Sequence, residues 1–343
     1  MTRIIEGKPY AIGEALGRLG RHAIKGLLEC ADWQRLQKWR GGRVLCRLID
    51  RTKKTFPAYW DEICGMGAGL GMDPADVFLW NCRCDLLAAT GIASSSIAIN
   101  RLGAGLVAQN LCDQSDLASA SEVLDIRPEG KPGFLALSMP GCLPGFGCAA
   151  NRAGIVQIVD NIEGGEFSFG IPSAVIARAV LDTSSLGDAI ELAIEIERVG
   201  SCHHILAAAG EFVMVGIEAD SFDSTLVPIS NKYWHTNHLL RTGTADYARP
   251  RQASVDRHRK LGKLLEQMPS HPMPEDVLSL LDSSISGPCD LSGGREVLIP
   301  AEGNAGTAFF KITQEQIHVS LLRPCDADVT NHLIEVEDRV RLQ

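Results

Sequence analysis

The sequence predicts an α+β fold in which helices cover largely antiparallel sheets. Three observations support this: apolar residues recur at helical spacing in residues 10–65, short alternating or apolar segments fill residues 94–230, and helical and strand-like segments follow. Runs of helices and runs of strands in this order are typical of layered α+β proteins. No internal repeat or low-complexity linker interrupts the chain, so we expect one domain, residues 1–343.

The N-terminal part is predicted to be helical over residues 10–40 and 42–65. A glycine-rich stretch, CGMGAGLG, follows at residues 64–71. It comes after a helix and not after a strand, which disfavours a phosphate-binding loop. Asp73 and Pro74 fit the N-cap and first position of the next helix.

The central part is predicted to contain strands, bounded by turn-forming residues. The segments are SSSIAIN, GLVAQN, GFLALSM, GIVQIVDNI, HHILAAAG, EFVMVGIEA and STLVPIS. Two helical blocks interrupt them, PSAVIARAVLD and SLGDAIELAIEIERVG; in the second, Ser185 can cap the start and Gly200 can close the end. Later helices are expected in ASVDRHRKLGKLLEQM and PEDVLSLLDS, and a hairpin in GTAFFKIT and QIHVSLLRP.

The composition narrows the possible partners. Of 343 residues, 45% are hydrophobic and 22% are charged, and the net charge is −9, without a basic cluster that would bind nucleic acid. No uncharged apolar run is long enough to span a membrane, and the N-terminus lacks the apolar segment of a signal peptide. We therefore expect a cytoplasmic protein without nucleic-acid or membrane partners, whose eleven cysteines are mostly buried free thiols.

Four stretches in order carry a resemblance to a known family. They are GAGLGMDPADVFLWNCR, ASSSIAIN followed by GLVAQN, WHTNHLL, and SVDRHRKLGKLL. Together they resemble the acyl-coenzyme A:isopenicillin N acyltransferase family of N-terminal-nucleophile hydrolases, in which the first stretch is a glycine-rich turn and the helix after it. The resemblance extends from about residue 60 to 325. It implies a four-layer αββα sandwich with two antiparallel sheets packed face to face.

The resemblance also implies that the enzyme is formed by self-cleavage. In the family a precursor bond opens ahead of a cysteine, which becomes the nucleophile at a new N-terminus. Counting back from Asn110 places the nucleophile at Ser94 and the cleaved bond between Ala93 and Ser94. The chain would then consist of a small segment, 1–93, and a large segment, 94–343.

Position 94 departs from the family because it carries serine. Three interpretations remain open: the serine is natural, it replaces a cysteine by engineering to trap the precursor, or the register is displaced by one residue. We favour the second. A serine in a pocket built for cysteine is expected to process slowly or not at all.

The expected chemistry uses the α-amine of residue 94 as the base, since an alcohol or thiol needs a proton acceptor to become a good nucleophile. By resemblance, Asn237 of the HTNH motif stabilises the oxyanion, and Arg257 holds the terminal residue. Asp113 is the candidate acceptor for the amine. It falls one place later than in the family, so on a strand it would face the other side unless a bulge lies nearby.

Four further residues are candidates for substrate binding. Asp256 lies beside Arg257 and could pair with it or with a cationic substrate. His235 begins the HTNH motif, while Cys142 and Phe146 lie in a Gly/Pro-rich apolar stretch that suits a pocket wall. The loops at 140–150 and 163–172 and the segment 60–90 are expected to build the pocket.

The sequence therefore predicts an amidohydrolase or acyltransferase that acts on a small-molecule amide through an acyl-enzyme, as an unprocessed precursor, with no cofactor. It leaves open whether the chain forms a homo-oligomer. Hydrolysis by water is the simpler expectation. Two alternatives are a catalytically silent small-molecule-binding relative and a metal-dependent hydrolase. The spacing of the candidate ligands fits zinc poorly, so no metal is expected; these are His203, His204, His235, His238, Cys82 and Cys84.

Overall fold

A computed structural model describes residues 2–101, 104–113, 115–163, 167–211, 213–241, 251–269, 272, 276–277, 280, 304–323 and 329–336. The helices are α1 (Pro9–Gly20), α2 (Ile24–Glu29), α3 (Ala31–Leu36), α4 (Arg43–Thr55), α5 (Pro57–Leu70), α6 (Pro74–Asn81), α7 (Arg83–Leu86), α8 (Ser115–Ala118), α9 (Ser173–Val180), α10 (Leu186–Glu195) and α11 (Gln252–Gln267). The strands are β1 (Arg3–Gly7), β2 (Ala93–Arg101), β3 (Ala104–Cys112), β4 (Glu122–Pro128), β5 (Phe134–Ser138), β6 (Cys148–Asn151), β7 (Ile155–Asn161), β8 (Cys202–Ala208), β9 (Met214–Ala219), β10 (Ser224–Pro228), β11 (Lys232–His235), β12 (Asn304–Ile312), β13 (Gln316–Leu322) and β14 (Thr330–Glu335).

The strands form two sheets. The eight-stranded sheet has the order β1-β4-β5-β6-β7-β8-β9-β10, and the six-stranded sheet has the order β11-β2-β3-β12-β13-β14. The pairing of β1 with β4 is parallel, while the neighbouring pairs, such as β2 with β3 and β7 with β8, are antiparallel. This confirms the α+β class with largely antiparallel sheets.

The sheets and helices are stacked in four layers. The inner faces of the two sheets share one apolar core, to which β2, β3, β7 and β8 all contribute. On the outer face of the six-stranded sheet, Leu261 and Leu265 of α11 pack against Ile97 and Phe309. On the outer face of the eight-stranded sheet, α10 packs against β8 and β9. The predicted αββα sandwich is therefore confirmed.

Residues 64–70 of the glycine-rich stretch lie inside α5, so the glycine-rich turn that the resemblance implied for GAGLG was wrong. The cause is the close packing of α5 on α1. A Cβ atom on Gly17 would lie 2.3 Å from the carbonyl oxygen of Met66, and one on Gly65 would lie 2.0 Å from that of Tyr10. The helix ends at Gly71, whose φ of 78° suits glycine.

Other local predictions can be compared with the structure directly. The Asp73 side chain accepts a hydrogen bond from the Ala75 amide at 2.8 Å, and Ser185 caps α10 in the same way. The helix α10 ends at Glu195, earlier than expected. The seven central strand segments and the final hairpin are confirmed, whereas most of the helix expected at 274–283 lies outside the described residues.

Among the helices of the described ranges, none combines the length and apolar composition that crossing a membrane requires.

The packing of α1 on α5 predicts that Gly17→Ala is destabilising. The added methyl group would overlap the backbone of Met66 and Gly69, so the helices must separate. Overpacking of this kind costs about 1–3 kcal/mol. The measurement is the free energy of unfolding from urea titration.

Gly187→Ala is the matched control, since it lies in α10 and a Cβ there meets only the Ser185 hydroxyl, at 3.8 Å. It should be neutral or stabilising by up to about 1 kcal/mol. Equal effects of the two substitutions would contradict the close approach of α1 and α5.

Candidate active site

Ser94 lies near the start of β2, where the two sheets and α11 meet. β2 pairs with β3 on one side and with β11 on the other, so Ser96 lies opposite both Gln109 and His235. Because side chains alternate along a strand, Ser94 and Ser96 face the space between the sheets, and Ser95 faces α11. Ser94 is only 1% exposed.

Asn237 follows β11 and contacts Ser94 through both atoms of its side-chain amide. The Asn237 Nδ2 atom donates to Ser94 Oγ at 3.0 Å and to the Asn161 carbonyl oxygen at 2.9 Å. Its Oδ1 atom accepts from the backbone amide of Ser94 at 3.0 Å. The Asn237 backbone amide donates to Ser254 Oγ at 2.8 Å, which fixes this residue against α11.

Arg257 reaches the same residues from α11. Its Nη1 atom donates to the Ser94 carbonyl oxygen at 3.0 Å, and its Nη2 atom donates to Asn237 Oδ1 at 2.6 Å. Nη1 also lies 3.5 Å from Ser95 Oγ. The structure thus brings together three of the residues singled out from the sequence, Ser94, Asn237 and Arg257.

Asp113 follows the end of β3, next to Cys112, which pairs with Ala93. Its carboxylate forms a buried ion pair with Arg83 at 3.0 Å. The register between β2 and β3 is regular throughout, and the irregularity nearby lies on β12. The bulge that would turn Asp113 toward the other face is therefore not found in the β2–β3 pairing.

The four candidate substrate-binding residues lie in different surroundings. Asp256 is exposed and pairs with Arg259 at 3.1 Å. Cys142 is buried, and its Sγ atom accepts from Arg83 at 3.3 Å. Phe146 is buried in the main core, and His235 is buried beside Ser96. Of the four, His235 pairs directly with the serine-bearing strand, opposite Ser96. Substrate binding by these four residues stays a prediction.

A buried carboxylate that the sequence reasoning missed also faces the serines. Asp160, on β7, is 0% exposed and accepts from Ser96 Oγ at 2.5 Å. It also accepts from His203 Nδ1 at 2.8 Å and from Gln109 Nε2 at 3.0 Å. A single Asp near the end of an apolar strand gives little signal in sequence, because Asp also marks strand ends.

Two stacked imidazoles continue this polar cluster. The rings of His203 and His235 lie 3.8 Å apart and nearly parallel. His203 Nε2 lies 2.9 Å from the Tyr233 hydroxyl, so a neutral ring with a proton on Nδ1 satisfies both of its contacts. Both nitrogens of His235 face acceptors, the Thr236 carbonyl oxygen at 2.6 Å and Glu218 Oε1 at 3.1 Å.

The charges of the cluster follow from these contacts. Burial alone would raise the pKa of Asp160, but the hydrogen bond and charges of the imidazoles outweigh it and the pKa is lowered. Burial opposes ionisation of Glu218 too, yet His235 and two backbone amides lower its pKa to about 2. Burial, with the charge of His235, lowers the pKa of His203 to about 4.

Asp160, His203 and His235 have potential metal-binding atoms within 4.8 Å of one another. The atoms that could bind a metal already have hydrogen-bond partners. Asp160 accepts from His203, and His235 Nδ1 lies 2.6 Å from the Thr236 carbonyl oxygen. The lone pairs of two nearly parallel rings also do not converge on one point. We therefore assign the cluster as a hydrogen-bonded network and propose no metal in it.

Residues 90–93 lead into β2 and are held by contacts to both earlier and later parts of the chain. Thr90 Oγ1 accepts from Asn161 Nδ2 at 3.1 Å, and the Gly91 amide donates to Asp32 at 2.8 Å. Ile92 is buried. These contacts hold the segment immediately before Ser94 in place.

The fold agrees with the family comparison. The layered sandwich corresponds to the N-terminal-nucleophile hydrolase type. The family model described as acyl-coenzyme A:6-aminopenicillanic acid acyl-transferase matches residues 106–293, more than half of the chain, and the chain belongs to this family. The matched range begins within β3, after the serine-bearing strand. A comparison with curated proteins finds no match.

The buried histidines predict that the protein loses stability in mild acid. Burial lowers the pKa of His203 to about 4 and that of His204 to about 3. Between these values and the unfolded value near 6.5, the unfolded chain binds more protons, so the free energy of unfolding falls as the pH falls. From pH 7 to pH 5 each histidine contributes a loss on the order of 2 kcal/mol.

Urea unfolding at pH 7, 6 and 5 measures this loss. His204→Gln should reduce this loss of stability, because it removes one of the two buried imidazoles. His204 is chosen because its ring faces Cys202 and lies away from the serines. His22→Gln, at an exposed ring, should leave the pH dependence unchanged. A free energy of unfolding that stays constant from pH 7 to pH 5 would contradict the assignment of His203 and His204 as neutral in the folded protein.

Proposed function

We propose that this protein is a self-processing amide hydrolase in which Ser94, freed by cleavage of the Ala93–Ser94 bond, is the nucleophile. The observation that supports this most directly is the convergence of Asn237 and Arg257 on Ser94. Three hydrogen bonds of 3.0 Å join them to Ser94, and Arg257 donates to Asn237 Oδ1 at 2.6 Å. Family membership supports acyl transfer or amide hydrolysis as the reaction class. Water is the proposed acceptor of the acyl group, a small-molecule amide the substrate, and the cytoplasm the site of action.

The base in the mature enzyme is the α-amine of Ser94. Its ordinary pKa is about 7.7–8.0, and a guanidinium close by disfavours the charged ammonium form. Arg257 donates to the carbonyl oxygen of the same residue, so it lies within a few bonds of that amine. A larger fraction of the amine is then neutral near pH 7 and able to accept the Ser94 hydroxyl proton.

Asn237 is the proposed oxyanion donor. Its Nδ2 atom lies 3.0 Å from Ser94 Oγ, so it can reach an oxygen on the carbon that becomes attached there. Hydrogen bonds from Arg257 and to Asn161 fix the plane of the amide before any substrate binds. Such a preorganised donor costs no reorientation during the reaction.

Cleavage would also open the site. Ser94 is buried in the intact chain, and the residues just before it are tied down by contacts to Asn161 and Asp32. Once the Ala93–Ser94 bond is broken, this segment can move away while Ser94 stays held by Asn237 and Arg257. We propose that position 94 suits cysteine, and that the serine present there slows cleavage of the Ala93–Ser94 bond.

The substitution Ser94→Cys is expected to accelerate cleavage, because a thiol ionises more readily than an alcohol and is the better nucleophile. The products should be fragments 1–93 and 94–343, with the introduced residue at the new N-terminus. Intact-mass spectrometry and N-terminal sequencing measure the outcome for this variant and for the parent chain.

Ser95→Cys is the matched control, since its side chain faces α11 and the substitution should leave the cleavage rate at the parent level. If both the parent and Ser94→Cys stay full-length, the proposed function is wrong. If cleavage occurs, a panel of N-acyl 4-nitroanilides of different chain length tests for turnover. Cleavage without any turnover would favour a binding role.

Replacing the Asn237 amide should slow the reaction at residue 94. In the Ser94→Cys background, Asn237→Ala is expected to reduce the cleavage rate by about 10²–10³-fold, the usual loss for one oxyanion donor. Fragment formation over time, followed by mass spectrometry, gives the rate.

Asn100→Ala is the control. Asn100 lies on β2, the strand that carries Ser94, but its side chain donates to the Ile229 carbonyl oxygen, far from Ser94. Its cleavage rate should stay within a few-fold of the background. If Asn237→Ala cleaves as fast as Asn100→Ala, Asn237 has no part in the reaction.

A further inference from the structure

Self-cleavage poses a problem that the mature mechanism does not solve. Before the Ala93–Ser94 bond opens, the nitrogen of Ser94 is part of an amide and has no basic lone pair. It donates to Asn237 Oδ1 at 3.0 Å. The Ser94 hydroxyl therefore needs another proton acceptor for this first step.

The direction of the Ser94 hydroxyl limits where that acceptor lies. Ser94 Oγ accepts from Asn237 Nδ2, which leaves the hydroxyl proton free to be donated. Ser94 and Ser96 are two residues apart on β2, so both face the inner side of the sheet. On that side Ser96 Oγ donates to Asp160 Oδ2 at 2.5 Å.

Asp160 has the charge that an acceptor needs. The carboxylate is fully buried, yet its pKa is lowered, mainly by the hydrogen bond and charge of His203 and the charge of His235, which outweigh the effect of burial; the Ser94 hydroxyl adds to this lowering. It is thus ionised near neutral pH. His203 and Gln109 hold its two oxygens in place.

We propose, on the basis of the proposed function, that Asp160 is the catalytic proton acceptor for Ser94 in the self-cleavage of the Ala93–Ser94 bond. The role is confined to the intact chain, since the α-amine takes it over after cleavage. Asp160 and the α-amine then act one after the other on the same hydroxyl.

The proton and bond changes balance without a further reagent except water. Ser94 Oγ attacks the Ala93 carbonyl carbon while its proton passes to Asp160. The C–N bond then breaks, the proton passes from Asp160 to the Ser94 nitrogen, and an ester joins Ala93 to Ser94 Oγ. Water hydrolyses this ester, which gives the Ala93 carboxyl group and regenerates the hydroxyl.

The test is Asp160→Asn, which keeps the shape of the side chain and removes the acceptor. It is made in the parent chain and in Ser94→Cys, and fragment formation is followed by mass spectrometry. We expect the cleavage rate to fall about 10²-fold or more in the background that cleaves, the range typical of general base catalysis. Hydroxylamine cuts the ester between Ala93 and Ser94 Oγ and so releases the fragments. In Asp160→Asn this release should be slower than in the corresponding chain with Asp160.

Asp85→Asn is the matched control, because Asp85 is another buried carboxylate, bonded to Ser173 and not to the serine-bearing strand. It should cleave at the parent rate. Circular dichroism and thermal unfolding show whether each variant is folded. A folded Asp160→Asn chain that cleaves within about threefold of its background overturns the proposal while leaving the proposed function intact.

A second variant covers the case in which Asp160→Asn does not fold. Asp160→Glu keeps the buried charge but moves the carboxylate by one methylene group. Cleavage should then be slowed at least tenfold but remain measurable, and an unchanged rate overturns the proposal. If neither background cleaves at all, the proposed function fails together with this inference.

Discussion

The side-chain amide of Asn237 is the interaction on which the geometry of this site depends. Its four hydrogen bonds join β2, the end of β7 and α11, which belong to three of the four layers. An amide has two donors and two acceptor sites, and here all four bonds lead to fixed groups. The positions of Ser94 and Arg257 relative to the two sheets follow from this one planar group.

The polar groups around Ser94 are buried between two sheets, where an unpaired charge would be costly. Asp160, Glu218 and the two stacked imidazoles therefore constrain one another, and small displacements of one group cost hydrogen bonds at the next. This explains how a serine on a strand, without help from a tight turn, can be held in one orientation. The family to which the chain belongs performs acyl transfer, a reaction that needs such fixed donors.

The sequence predicted the fold class because alternating apolar strands are a local pattern. The family resemblance singled out Ser94, Asn237 and Arg257, and the structure brings these three residues into contact. The sequence analysis missed β1, β4, β6, β11 and β14, several of which are short. It did not single out Asp160, because the contact of that carboxylate with Ser96 arises only when β7 packs against β2. The glycines of α5 were misread for the same reason: a helix packed closely on another has no distinct local signature.

The contacts between residues 1–93 and the rest of the chain bear on what the two pieces would do once separated covalently. β1 adds an edge strand to the eight-stranded sheet, and two ion pairs, Glu62 with Arg178 and Arg83 with Asp113, cross the boundary in nearly complete burial. Pulling the pieces apart would expose the apolar core that α5 and α6 share with β5, and burial of apolar surface is the main stabilising contribution to folding. If the chain is cut between Ala93 and Ser94, we expect the two pieces to stay associated, because the smaller piece contributes both an edge strand and part of the core.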